Sequence, residues 1–474
     1  MTPKKIAAFA LGPIVGAALS FMTLPLITWF FSQEDVGRMA MLQVVVSFCT
    51  LLFTLGLDQA YVREFHETNN KPALFKTTLL PGLMLLTISI SALLLLGNTL
   101  SIWLFEIDSR LLSFLIATVI MVTFLSRFLS LILRMNERGL AFSMSQMLPK
   151  LLLILIIGSY TLLNVSKTIT NLVIANVASV LLVFLVYAWN TREEWFRSLR
   201  EKIDYHYLKE MLKFGIPLIF GGLAFWGLTA TDKILLKELS SFEQLGLYSV
   251  AVSFAAAATI FQSIFSTVWA PTVYKWAASG EGLDNIYKVN RYVLLVVIIL
   301  FCLAGLFSWL VTFILPSDYE AVQWILISCL GFPLLYTLSE TTVVGLGITK
   351  RSILAILPAF LAFLMNLFGN WWLIPVWGAT GAAVSTCISF WFFFLIRTEL
   401  AIYVWKPMPR LTLYSYTGVL VLGAVFSSMY GKEYNYEVVA FWLLMLGSLG
   451  LSFREELLET KHWLLSRLRR SAQH

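Results

Sequence analysis

Leu111–Arg138 reads LLSFLIATVIMVTFLSRFLSLILRMNER: sixteen uncharged residues and then an arginine, Arg127, still inside the apolar run. About twenty consecutive apolar residues span a bilayer as a helix, so this stretch predicts a membrane crossing with a guanidinium well inside it. Such a charge costs about 2.5–3.5 kcal/mol on insertion scales and must face protein or water. At 100° per residue, Arg134 and Arg138 fall within about 20° of Arg127, which predicts a cationic stripe from mid-span to the membrane edge. Two accounts of Arg127 stand side by side. It snorkels or pairs with a carboxylate of another span, or it lines a water-filled cavity that receives an anion.

The rest of the chain has the same character. Of 474 residues, 59% are hydrophobic and 13% charged, against about 25% charged in soluble domains. Hydropathy predicts an all-α polytopic membrane protein of about fourteen transmembrane helices. An even number of crossings puts both termini on one side. Of the 34 Lys and Arg, about 27 fall on that side and about 5 on the other, and the positive-inside rule makes that side the cytoplasm. The outer connections are short, the longest spanning residues 97–110, so none holds a folded catalytic domain and the chain does not read as an enzyme. Cys49, Cys302, Cys329 and Cys387 all lie in apolar spans, without metal-ligand spacing. No phosphate-binding loop occurs. Neither a metal nor a cofactor is indicated, and nothing points to nucleic acid.

Residues 190–213 form the largest inner connection. Trp195, Phe196, Leu199 and Ile203 recur there at helical spacing among Arg192, Arg197, Arg200 and Lys202. This predicts an amphipathic helix on the anionic lipids of the inner leaflet, joining two halves. The tail has the same pattern, with Leu457, Leu464 and Leu468 opposite Lys461, Arg467 and Arg470. On either side of the linker a repeat is visible: Ser32-Gln33-Glu34-Asp35-Val36-Gly37 matches Ser241-Phe242-Glu243-Gln244-Leu245-Gly246. In each, a serine can cap the following helix, with an acid or amide three residues later. Both copies sit between the first and second spans of a six-span unit. The simplest organisation is an N-terminal six-helix lobe (1–190), a linker (191–213), a C-terminal six-helix lobe (214–397), two additional transmembrane helices (398–453) and a basic cytoplasmic tail (454–474), with the substrate route between the pseudo-symmetric lobes.

Four stretches carry a resemblance to a known family: Gly56-Leu57-Asp58-Gln59-Ala60-Tyr61-Val62-Arg63-Glu64-Phe65; Thr231-Asp232-Lys233; Leu245-Gly246-Leu247-Tyr248-Ser249-Val250-Ala251; and Asn366 through Asn370 to Ile374-Pro375, followed by Gly378-Ala379-Thr380-Gly381-Ala382-Ala383. In this order over most of the chain, they resemble the multidrug/oligosaccharidyl-lipid/polysaccharide exporter superfamily, and within it the polysaccharide transporters that include O-antigen flippases. Gly37-Arg38-Met39 departs from the glycine-leucine-tyrosine pattern of the second copy. The resemblance implies a bacterial cytoplasmic (inner) membrane protein. It also implies alternating access and an undecaprenyl-pyrophosphate-linked glycan as cargo, with polysaccharide polymerase or ligase machinery as partners. The alternatives are a cation-coupled drug or organic-cation exporter of the same superfamily and a membrane-embedded polysaccharide polymerase or ligase.

The ionisable residues in or beside the spans are the candidate site. Arg127, Arg134, Lys233 and Arg63 are the candidate pyrophosphate-binding cations, because guanidinium groups bind phosphate oxygens bidentately. Glu340, Asp232 and Asp58 are the candidate gating or ion-coupling carboxylates. Glu340 and Arg127 occupy repeat-equivalent spans at similar depth, which predicts a pair between them. The bland reading of Asp58 and Arg63 is that they mark the inner membrane interface, and of Lys233 that it snorkels outward.

Overall fold

The computed structural model describes residues 3–279, 283–349, 354 and 356–459. The basic part of the tail beyond Glu459 lies outside the described residues. Among the described residues the chain is all-α. It forms two compact units, Met1–Ser249 and Val250–His474. Among the described residues, eleven helices are long and apolar enough to cross a membrane, or twelve if one bent pair counts as a span. The chain is therefore a polytopic membrane protein.

The first unit holds α1 (Pro3–Phe30), α2 (Gln33–Phe53), α3 (Leu57–Glu64), α4 (Lys71–Leu95), α5 (Thr99–Phe105), α6 (Arg110–Met135), α7 (Gly139–Leu162), α8 (Ile169–Asn190), α9 (Arg192–Arg200), α10 (Tyr205–Leu239) and the start of α11 (Phe242–Ala255). At its centre is α6, packed against α2, α4, α7 and α8. More than half of the α6 apolar window is buried, the largest share in this unit. The predicted linker helix is α9, lying against α4.

The first compact unit extends past the expected lobe boundary at 190 and takes in α10, which packs on α2 and α3. Close backbone approach is the reason. A Cβ on Gly215 would lie 2.6 Å from the Leu55 carbonyl oxygen, and one on Gly56 2.3 Å from that of Gly215. The repeat copies behave alike. Ser32 Oγ accepts the Asp35 N–H, Ser241 Oγ accepts the Gln244 N–H, and the two segments pack glycine to backbone. A Cβ on Gly37 would lie 2.0 Å from the Phe242 oxygen, and one on Gly246 2.2 Å from the Gln33 oxygen. Arg38, the departure from the repeat, donates to the Phe105 carbonyl and covers the Phe242 ring.

The second unit continues with α12 (Ala258–Ser279), α13 (Leu283–Phe307), α14 (Val322–Cys329), α15 (Gly331–Thr342), α16 (Val344–Ile348), α17 (Ile356–Val404), α18 (Leu411–Tyr430) and α19 (Asn435–Ser452). Helices α11 and α12 bend by 47° at their junction. Helix α17 has 49 residues, about 74 Å if straight and more than twice a bilayer core. It folds back instead at Gly378, whose φ of 50° falls in the region that favours glycine. Asn366 Nδ2 then reaches Thr386 Oγ1 at 3.1 Å, and Ser385 Oγ donates to the Asn366 carbonyl. Trp442 of α19 closes the core against Gly305 of α13 and donates to Ser427 Oγ.

Candidate functional site

The site begins where α2 stops. Leu55 and Gly56 take φ values of 53° and 67°, which ends α2 and restarts the chain as α3 with Asp58 in its first turn. There Asp58 faces α6. Arg127 Nη2 lies 2.7 Å from Asp58 Oδ2, and Arg127 Nε donates to the same oxygen at 3.3 Å. Gln59 Nε2 adds a third donor to that oxygen. The Asp58 side chain is 9% exposed, but Arg127 is 43% exposed, because one edge of its guanidinium looks into a cavity of about 580 Å³. Nη1 makes no hydrogen bond with the described residues.

That cavity has a polar wall. Gln43, Ser47, Thr50 and Thr54 project from α2, Thr123 joins them from α6, and Leu218, Ile219 and Gly222 of α10 supply the apolar side. Positions 43, 47, 50 and 54 fall within about 60° of one another around a helix. This polar stripe in a span was a readable signal that the charge-centred sequence reading passed over. A guanidinium has five N–H donors in a planar fork. With two nitrogens engaged by one oxygen, the remaining edge can take an oxyanion while hydroxyl and amide groups solvate it.

Of the other candidates, Asp58 joins Arg127 and the remaining five do not. Arg134 is exposed on α6 outside the cavity. The expected stripe fails at Arg138: α6 ends at Met135, Glu137 takes a φ of 56°, and Arg138 turns to Glu194 Oε1 at 2.7 Å. Arg63 lies beside Glu64 and over the Phe214 ring. Asp232 is buried on α10 and accepts the Tyr248 hydroxyl, with Lys233 half-buried beside it. The expected Arg127–Glu340 pair gives way to two pairs, each inside its own unit, because each charge has a nearer partner. Glu340 Oε1 meets Arg397 Nη1 at 2.7 Å. Arg397 also donates to Ser339 Oγ and lies over the stacked rings of Tyr336 and Phe393.

Residues 3–277 match the family described as polysaccharide biosynthesis protein, more than half of the chain. The chain belongs to the polysaccharide biosynthesis protein family. All of the Arg127 cavity lies within the matched residues of this family member, whereas the Glu340–Arg397 pair lies beyond them. Its fold is shared with the lipid II flippase MurJ in an inward closed conformation. That match has 14% identity over 95% of this chain and 99% of that one, with a TM-score of 0.66. It is shared also with a multidrug resistance MATE family transporter of the MOP superfamily. The inward-facing form gives 13% identity over 84% and 97% of the two chains and a TM-score of 0.57; the outward-facing form gives 14%, 84%, 95% and 0.53. These structures share the polytopic helical fold that the resemblance of the four sequence stretches implies. No curated protein matches the chain by sequence.

Proposed function

We propose that this family member is a flippase that carries an undecaprenyl-pyrophosphate-linked oligosaccharide, an O-antigen or similar repeat unit, from the inner to the outer leaflet of a bacterial cytoplasmic membrane. The observation that carries this reading is the half-engaged Arg127. Its guanidinium is oriented by buried Asp58 on one side and faces a polar cavity on the other. A diphosphate offers several oxygens to that free edge, and the hydroxyls of Ser47, Thr50 and Thr54 can turn to the rest of its shell from the α2 carbonyls to which they donate.

Asp58 competes with the cargo for Arg127, so binding loosens a contact between α3 and α6, and release restores it. That is a gate of the kind alternating access requires. Arg63 and Arg134, exposed outside the cavity, form the cationic approach on the cytoplasmic side, where both termini lie. Asp232 and Lys233 belong to the outer end of α10. With the inside negative, moving a dianion outward is favoured by about 4.6 kcal/mol at 100 mV. Membrane potential therefore suffices as a driving force. Product glycolipids pass to polymerase or ligase machinery on the outer face.

A second reading, export of organic cations, draws on Asp58 in the same cavity. The test is reconstitution of the purified chain in liposomes holding a fluorescent undecaprenyl-pyrophosphate glycan or a fluorescent organic cation. Potential-dependent outward movement of the glycolipid alone supports the proposal. Movement of the cation alone replaces it with the second reading.

A further inference from the structure

A second cavity of about 410 Å³ lies in the first unit, at the end of the spans where α3, α4, α6 and α9 meet. Tyr61 lines it. The Tyr61 side chain packs against Phe65 and Phe75 and is only 2% exposed, yet its hydroxyl has no hydrogen-bond partner among the described residues. The hydroxyl opens to the cavity and is free to donate to what occupies it. Burial pushes this phenol well above its ordinary value, and nearby Glu194 adds to the shift. Tyr61 is therefore a hydrogen-bond donor at every working pH.

The charges around the cavity choose the sign of that ligand. Arg138 and Asn136 both donate to Glu194 Oε1. Of the rest, Lys71 lies over the Phe65 ring, and Arg197 and Glu193 have no partner among the described residues. Two cations against one carboxylate leave a net charge of +1, which suits a monoanion. Depth identifies its source. Helix α9 is anchored on α4 through Lys76, which donates to the carbonyls of Leu199 and Glu201, and through Asn70, which donates to the Glu201 carboxylate. Its Phe196 and Leu199 remain exposed beside Arg197. An amphipathic helix so placed lies at headgroup level.

We infer that this cavity binds the phosphodiester headgroup of an anionic glycerophospholipid of the inner leaflet, through the Tyr61 hydroxyl, Lys71 and Arg197. The orientation rests on the cytoplasmic placement given above, but the binding does not depend on transport. Lipid occupancy would tie α9 to the start of α4 and to α3, the helix that carries Asp58.

The test is thermal stabilisation of the full-length protein in detergent by short-chain phosphatidylglycerol, with short-chain phosphatidylcholine and inorganic phosphate as comparators. Phosphatidylglycerol is expected to stabilise the wild type at concentrations where the other two do not. Tyr61→Phe keeps the ring and removes only the donor, and should raise the half-saturating concentration about tenfold. Arg197→Gln, on an exposed position that does not threaten folding, should do the same. Arg192→Gln, on the same helix but outside the cavity, should not. Equal shifts with both lipids, or unchanged shifts in Tyr61→Phe and Arg197→Gln, overturn the site. A Tyr61-dependent shift with inorganic phosphate overturns the lipid assignment. Because no transport is measured, failure here is separate from failure of the flippase reading.

Discussion

Replacing Arg127 by glutamine leaves the Asp58 carboxylate, 9% exposed, with Gln59 as its remaining side-chain donor. Breaking a fully buried pair from one side costs about 3–5 kcal/mol, while an exposed pair contributes about 0–1 kcal/mol. With one partner buried and the other 43% exposed, the loss for Arg127→Gln falls between these, at about 2 kcal/mol. Asp58→Asn should cost less, about 1 kcal/mol, because the freed guanidinium can turn into the cavity and be solvated. The double variant should lose about 2 kcal/mol rather than 3, a coupling of about 1 kcal/mol. The assay is thermal unfolding in nanodiscs without glycolipid, where about 1 kcal/mol moves the midpoint by about 2 °C for a unit of this size. Additivity within about 0.5 kcal/mol would refute the reasoning, as would Asp58→Asn proving the more damaging single change.

Gly246→Ala should destabilise the protein by about 1–3 kcal/mol, since its Cβ would meet the Gln33 carbonyl at 2.2 Å; Gly221→Ala, with open space at that position, should not lower the midpoint in the same thermal assay. Burial alone would raise the Glu456 carboxyl, but the hydrogen bond and charge of Arg291 hold it below its ordinary 4.5. Its contribution is present above that value and lost as pH falls through the lowered folded one, so acid melts should show a decline below about pH 4.5 that Glu456→Gln flattens. Cys49 lines a cavity of about 490 Å³ with largely apolar walls, whereas Cys302, Cys329 and Cys387 are buried. An apolar maleimide should therefore label Cys49 first, as mass spectrometry of the labelled protein would report.

The spans and Arg127 were legible because a charge inside an apolar run violates the period-independent demand that lipid places on side chains. Its partner was not. Asp58 stands after the last apolar residue of its run, where charges ordinarily mark the interface, and only the left-handed turn at Leu55 and Gly56 brings it back toward α6. Hydropathy averages over such a turn. The same blindness explains Arg138, which angular arithmetic kept on α6 although the helix stops at Met135. Glu340 shows the remaining gap: repeat equivalence fixes depth along a span but not azimuth, and Arg397, on the neighbouring α17, is the cation its face meets. Glycine contacts such as Gly37 with Phe242 were visible only as a repeated cap motif, because sequence similarity between two segments does not say that they touch.

The most direct test of the account is outward movement of a fluorescent undecaprenyl-pyrophosphate glycan in energised proteoliposomes, compared among wild type, Arg127→Lys and Arg127→Gln at equal reconstituted amounts. An ammonium keeps the charge but lacks the planar fork, so the account predicts partial transport by the lysine variant and none by the glutamine variant. Wild-type rates from Arg127→Gln in folded, correctly inserted protein would contradict it.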